Sequence, residues 1–193
     1  MSDPVEQARQ HFEQGLAAFE DGRLAQAESH FEAALALVPG RVSILVNLAA
    51  TRTRLGRPQA ALPLLDEALA AAPDDADAWF QRGLALAALE QFDPALAAYD
   101  NALRLAPDLA LAWTHRANIL KQTGRVDEAA QSYRRAIKHG GDAEMNGYFL
   151  AALSGEQAPS APPLRYVERL FDDYAESFDQ HLVGALGYRA HRL

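Results

Sequence analysis

Residues 76–109 read ADAWFQRGLALAALEQFDPALAAYDNALRLAPDL, and residues 110–143 follow directly as ALAWTHRANILKQTGRVDEAAQSYRRAIKHGGDA. Set one above the other, these strings agree in phase: Trp79 with Trp113, Gly83 with Ala117, Ala95 with Ala129, Tyr99 with Tyr133, and Ala102 with Ala136. The same 34-residue step runs back toward the N-terminus. Pro39, Pro73 and Pro107 share one phase, and Gly141 takes the next step. Alanine recurs at 27, 61, 95 and 129 and again at 34, 68, 102 and 136, with bulky Phe31, Leu65, Tyr99 and Tyr133 between. Gly15, Ala49, Gly83 and Ala117 keep one position small, while His11 and Leu45 stand at the phase of the two tryptophans. A fixed period over four copies marks an array whose units each bury an apolar face only against a neighbour.

Each window holds two amphipathic stretches of about a dozen residues with apolar positions at helical spacing. Gly22, Gly56 and Gly124 separate them at one phase, where the end of a helix favours a left-handed residue. Glu90 takes that place in the third unit, so its turn is expected to close differently. Asp93-Pro94 predicts an N-cap followed by the first helical residue. The residue before each phase proline favours extended backbone and ends the second helix. The small positions predict close approach of the two helices, and the bulky ones are expected to fill the space to the next unit.

These residues resemble the tetratricopeptide repeat (TPR). The resemblance gives four units, Ala8–Arg41, Val42–Asp75, Ala76–Leu109 and Ala110–Ala143, and a capping helix over 144–153. It implies an all-α, right-handed superhelical solenoid, residues 1–153, whose first helices line a concave groove. Carried over by phase, the groove residues are Phe12 and Leu16, then Val46, Asn47 and Arg54, then Phe80, Gln81 and Leu84, and last Thr114, His115, Asn118, Lys121 and Gln122. Arg9, Glu13 and Ala50 flank them. The early part is apolar and the later part polar. An extended peptide or protein segment is the implied partner, its amides meeting Asn47, Gln81 and Asn118. TPRs that grip acidic chaperone C-termini need several Lys or Arg in the groove. Arg9, Arg54 and Lys121 are scattered here, which argues against that use.

Composition limits the partners further. The chain has 193 residues, 18 Lys plus Arg against 26 Asp plus Glu, a net charge of −8, and no cysteine. An acidic balance argues against nucleic acid and anionic membranes, which call for excess basic charge. Without cysteine there is no disulfide, thiol nucleophile or Cys-based zinc site. No apolar run approaches the roughly 18 residues that span a bilayer, and Met1–Glu6 lacks the apolar core of a signal peptide. A cytoplasmic protein is expected.

Residues 154–163 form a proline-rich linker by composition. Beyond it, Leu164, Val167, Phe171, Tyr174, Phe178 and Leu182 make one apolar stripe at helical spacing. By pattern this is a final helix over the end of the solenoid, or one that pairs with a second chain. Tyr166-Val167, Leu170-Phe171-Asp172, Tyr174-Ala175, Phe178-Asp179-Gln180-His181-Leu182 and Leu186-Gly187-Tyr188-Arg189 resemble the entry segment of bacterial proteins in which TPRs precede a methyltransferase domain using S-adenosylmethionine (SAM). That resemblance implies that residues 164–193 lead into a catalytic domain, with SAM as its cofactor and Tyr174 and Phe178 on the cofactor side. The chain itself carries no glycine-rich cofactor turn, so no cofactor and no catalysis are expected of it alone.

No other chemistry stands out. The six histidines form no H-E-x-x-H, and no pair has a recognisable zinc spacing. No G-x-S-x-G and no P-loop is present. Two rival readings stay open: a free-standing TPR adaptor, and the TPR arm of a glycosyltransferase with an asparagine-lined groove, for which Asn47 is the sole support.

Overall fold

The structure, a computed structural model, describes residues 3–154, 162–164 and 167–168. Among them are α1 (Pro4–Glu20), α2 (Leu24–Leu37), α3 (Val42–Arg54), α4 (Pro58–Ala71), α5 (Ala76–Ala88), α6 (Phe92–Leu105), α7 (Ala110–Gln122), α8 (Val126–Lys138) and α9 (Ala143–Ser154), with no strand among the described residues. The helices pair as α1–α2, α3–α4, α5–α6 and α7–α8, and each pair stacks on the next. The fold is an all-α solenoid.

Local chemistry sets the boundaries. Asp3 caps α1 by accepting from the Val5 amide (3.1 Å), and Pro4 opens the helix, ahead of Ala8. Asp75 caps α5 by accepting from the Ala78 amide (2.8 Å). The second helices of the first three units stop at Val38, Ala72 and Ala106, where φ is −135°, −138° and −129°. Each precedes a proline, whose ring disfavours helical backbone there.

The turns inside the units correct two expectations. Glu90 has φ 57°, in the same left-handed region as Gly22 (74°), Gly56 (72°) and Gly124 (76°). The third turn therefore closes like the others, with Glu90 N–H donating to the Ala87 carbonyl and Gln91 N–H to that of Leu86. A side chain in this region costs about 1 kcal/mol, and the two flanking helices hold it there. The left-handed residue also fixes the start of the next helix two positions on: Leu24, Pro58, Phe92 and Val126. Hence α6 begins at Phe92 with Gln91 as its cap, and Asp93 and Pro94 fall in its first turn.

The bulky residues do reach the next element, Tyr99 stacking on His115 and Tyr133 on Phe149, and the rings of Phe31 and Tyr99 also pack into the notch left by the small residue of their own unit. A Cβ added at Gly15 would stand 2.6 Å from Phe31 Cε1, and one at Gly83 would collide with the Tyr99 ring. Phe31, Leu65, Tyr99 and Tyr133 are fully buried there. Tryptophans and ion pairs join successive units. Trp79 Nε1 donates to the Pro73 carbonyl (2.8 Å) and Trp113 Nε1 to that of Pro107 (2.9 Å). Arg82 pairs with Asp66 and Arg116 with Asp100, the same link one period later.

The first joint carries a denser ionic cluster. Glu28 on α2 accepts from Arg52 (3.1 Å) and Arg57 (2.5 Å), and Arg52 also reaches Glu32 (2.7 Å). Burial pushes the Glu28 carboxyl up, but hydrogen bonds from Arg57 and Arg52 outweigh it and hold the carboxyl below the ordinary value of 4.5. A carboxyl with a lowered folded pKa adds stability above its unfolded pKa, and that stability is lost as pH falls through the folded one. Melting temperature should therefore drop as pH falls below about 4.5, and it should drop less steeply in Glu28→Gln than in the native chain. Parallel slopes in thermal melts from pH 6 to pH 3 would refute the assignment.

Candidate functional site

The two helices of each unit are not equivalent. Each first helix touches the first helix of the next unit, α1 to α3, α3 to α5 and α5 to α7, whereas the second helices make no comparable contact with one another. The solenoid therefore bends with its first helices on the inside. The inner surface is built from residues three and four apart on α1, α3, α5 and α7.

On α1, Phe12 and Leu16 are half-buried, and the Phe12 ring lies 5.7 Å from Phe31. Arg9 is engaged by Glu6 (2.6 Å) and Glu13 (3.1 Å). On α3, Val46 and Ala50 are buried. Asn47 Nδ2 donates to the Ser43 carbonyl of its own helix (2.8 Å). Arg54 is exposed, with its guanidinium 4.5 Å from the Phe19 ring centre. On α5, Phe80 is buried, and Gln81 and Leu84 are half-buried.

The α7 residues are tied to what lies around them. Thr114 Oγ1 meets Asn146 Oδ1 of α9 (3.0 Å). His115 sits against Phe80 (5.7 Å) and Tyr99 (6.1 Å). Asn118 Oδ1 accepts from the Tyr133 hydroxyl (2.7 Å). The Lys121 ammonium lies 3.5 Å from the Phe149 ring centre, and burial pushes its pKa below the ordinary lysine value. Gln122 is exposed. Helix α9 thus occupies the place of a fifth first helix and engages the polar end of the inner face. Tyr174 and Phe178 lie outside the described residues.

One hydroxyl departs from the repeat. Leu84 stands in the third unit where Asn118 stands in the fourth, and the buried Tyr99 hydroxyl has no hydrogen-bond partner among the described residues. The ring is held by shape, against Gly83, Phe80 and His115, and its burial raises the hydroxyl's pKa well above the usual tyrosine range.

The apolar end of the inner face opens into a cavity of about 340 Å3 between α1 and the start of α3. Val5, Ala8, Phe12, Val38 and Ile44 form its walls, with Arg9, Arg41 and Ser43 at the polar side. Arg41 is exposed and makes no ion pair with any described residue. Phase arithmetic identifies Phe12 but not Val5, Val38, Arg41 or Ile44, because the cavity crosses the boundary between two units. Among the described residues no group of three or more His, Asp or Glu is placed to hold a metal ion, and no helix is long and apolar enough to cross a membrane.

Tetratricopeptide-repeat models match residues 18–89, 76–109 and 110–138. The chain belongs to the tetratricopeptide-repeat family. Solved TPR structures share the fold. A thermophilic TPR protein of Thermus thermophilus is 24% identical over 76% of this chain and 80% of its own, with a TM-score of 0.68. The MamA protein is 17% identical over 97% of this chain and 99% of its own (TM-score 0.64). MamA from Desulfovibrio magneticus, residue 41 to its end, is 24% identical over 68% and 75% (TM-score 0.62). At such identities the likeness concerns the fold alone. No curated protein matches the chain. As a TPR protein with an open inner face, it is a protein-interaction scaffold.

Proposed function

We infer that the scaffold holds an extended peptide segment of a partner protein along its inner face. The observation that carries this is the cavity between α1 and α3, an apolar recess beside a guanidinium that no described residue pairs. The recess accepts one apolar side chain, and Arg41 meets a carboxylate next to it, by charge-assisted hydrogen bonds. The segment then runs across α3 and α5, past Gln81 and Leu84, toward Arg54 and the α7 end. Asn47, Asn118 and Thr114 already have partners inside the fold, so backbone recognition by a row of free amides contributes less than the anchor.

Selection of a random peptide library on the immobilised chain tests the proposal. Enriched peptides should pair a bulky apolar residue with an adjacent Asp or Glu. Arg41→Glu should weaken them at least about tenfold while melting like the native chain, and Phe12→Asp should weaken them likewise at a lower melting temperature, because Phe12 also packs on Phe31. Peptides that bind both variants as well as the native chain would overturn it.

A second reading rests on the resemblance of Tyr166–Arg189 to the entry segment of SAM-dependent methyltransferases. In it the repeats recruit the protein substrate of a catalytic domain encoded further on, and Tyr174 and Phe178 face the cofactor. The reading frame beyond Leu193 decides it: a glycine-rich turn followed by an acidic residue supports it, and their absence removes it.

A further inference from the structure

Two imidazoles that the sequence separates by 19 residues meet on the first unit. His11 on α1 and His30 on α2 place their Nδ1 atoms 3.4 Å apart, with ring centroids 5.7 Å apart and planes inclined by 36°. A neutral pair could share one N–H at this separation, but the separation is longer than the 2.7–3.2 Å of N–H···O hydrogen bonds in proteins. It matches another geometry better. Two imidazole nitrogens, each bound at 2.0–2.1 Å to one tetrahedral ion, stand about 3.3 Å apart. We propose that His11 and His30 form a two-imidazole site for a divalent transition-metal ion, with Nδ1 of each ring as ligand and water in the remaining positions.

The repeat makes the pair unusual. His11 occupies the phase of Leu45, Trp79 and Trp113, and His30 that of Leu64, Ala98 and Ser132. No other unit has an imidazole at either place, and the two coincide in one unit. Trp79 and Trp113 reach back to the end of the unit before them, so this phase looks along the solenoid axis toward the preceding element. For α1 no described helix lies on that side, and both histidines are only half-buried. A hydrated ion can approach.

The site is preorganised. Phe31, next to His30, is locked into the notch at Gly15, and Ala18 and Ala27 are buried between the same helices. The helix neighbours at three- and four-residue spacing are Gln7, Gln14, Gln26 and Ala33 with small residues, so no cation on these helices' own turns repels a dication. Imidazole nitrogens favour Zn(II), Ni(II) and Cu(II) over Mg(II) and Ca(II), which prefer oxygen.

Calorimetric titration of the untagged chain with ZnCl2 at neutral pH tests the site. One ion per site should bind, and MgCl2 should give no heat. Losing one ring removes the chelate, in which the second ligand acts at a high effective concentration. His11→Ala and His30→Ala should each weaken Zn(II) at least about a hundredfold. His139→Ala should bind like the native chain. His11→Gln and His30→Gln keep a polar side chain and serve if an alanine variant folds poorly, as judged by its melting curve. Cu(II) electron paramagnetic resonance should show hyperfine coupling from two imidazole nitrogens, reduced to one in either variant. Absence of Zn(II) binding, or binding unchanged in both single variants, overturns the proposal.

Discussion

Gly83→Val is expected to lower the stability of the array by about 3 kcal/mol or more, the upper end for overpacked cores. The first atom of any side chain at residue 83 meets the edge of the Tyr99 ring. That ring cannot retreat, because it is fully buried with Phe80 and His115 on its faces. Alanine is a smaller insult. The fourth unit combines Ala117 with Tyr133, both fully buried, so a spacing exists that accepts one methyl group. Gly83→Ala also gains helix propensity, up to about 1 kcal/mol. The expected order in melting temperature is native highest, Gly83→Ala below it, and Gly83→Val lowest, roughly 10 °C below the native chain. Equal melting of the valine variant and the native chain would mean that Tyr99 is not seated in the Gly83 notch.

The same notch shows what the sequence discloses. Periodicity identifies Gly83 and Tyr99 as one small and one large position, and it identifies the helix ends at Val38, Ala72 and Ala106, because a proline restricts the residue before it whatever the tertiary setting. Periodicity does not say which neighbours a large ring meets, and Tyr99 meets two, the Gly83 notch of its own unit and His115 of the next. Nor does it reveal that Glu90 adopts a conformation usually left to glycine. That choice belongs to the packing of α5 on α6, which outweighs a local cost of about 1 kcal/mol. The inner face divides in the same way. The positions on α1 and α3 are legible as a helical stripe. The partners of Thr114 and Lys121, namely Asn146 and Phe149, come from α9, beyond the four repeats, so their engagement is invisible before the fold is known, whereas Tyr133 stands at a fixed offset from Asn118. His11 and His30 are the converse case, two unremarkable residues brought together only by the α1–α2 pairing.

A chain ending at Asp142 should be markedly less stable than one ending at Ser154, because α9 completes the last unit. Phe149, Leu150 and Leu153 pack against the core that holds Tyr133 and Leu120, and Phe149 stacks on Tyr133 at 5.8 Å. Full burial of such a side chain is worth about 1.5–3 kcal/mol. Three partly buried ones together give on the order of 3–5 kcal/mol. Thr114 and Asn146 lose each other as well, and Lys121 loses the ring beneath it. In an array held by nearest-neighbour interfaces the loss stays local. Amide hydrogen exchange should accelerate strongly in α7 and α8 and little in α1–α4, and the urea transition of the shorter chain should broaden or split. Comparing the two endpoints isolates α9 from everything after it. If exchange in α7 and α8 is the same in both, α9 only rests on the solenoid, and the polar end of the inner face is as open to a partner as the cavity between α1 and α3. Faster exchange confined to α7 and α8 means that α9 is the last stacked element of the array, and that its contacts with Thr114 and Lys121 shape what a peptide meets at that end.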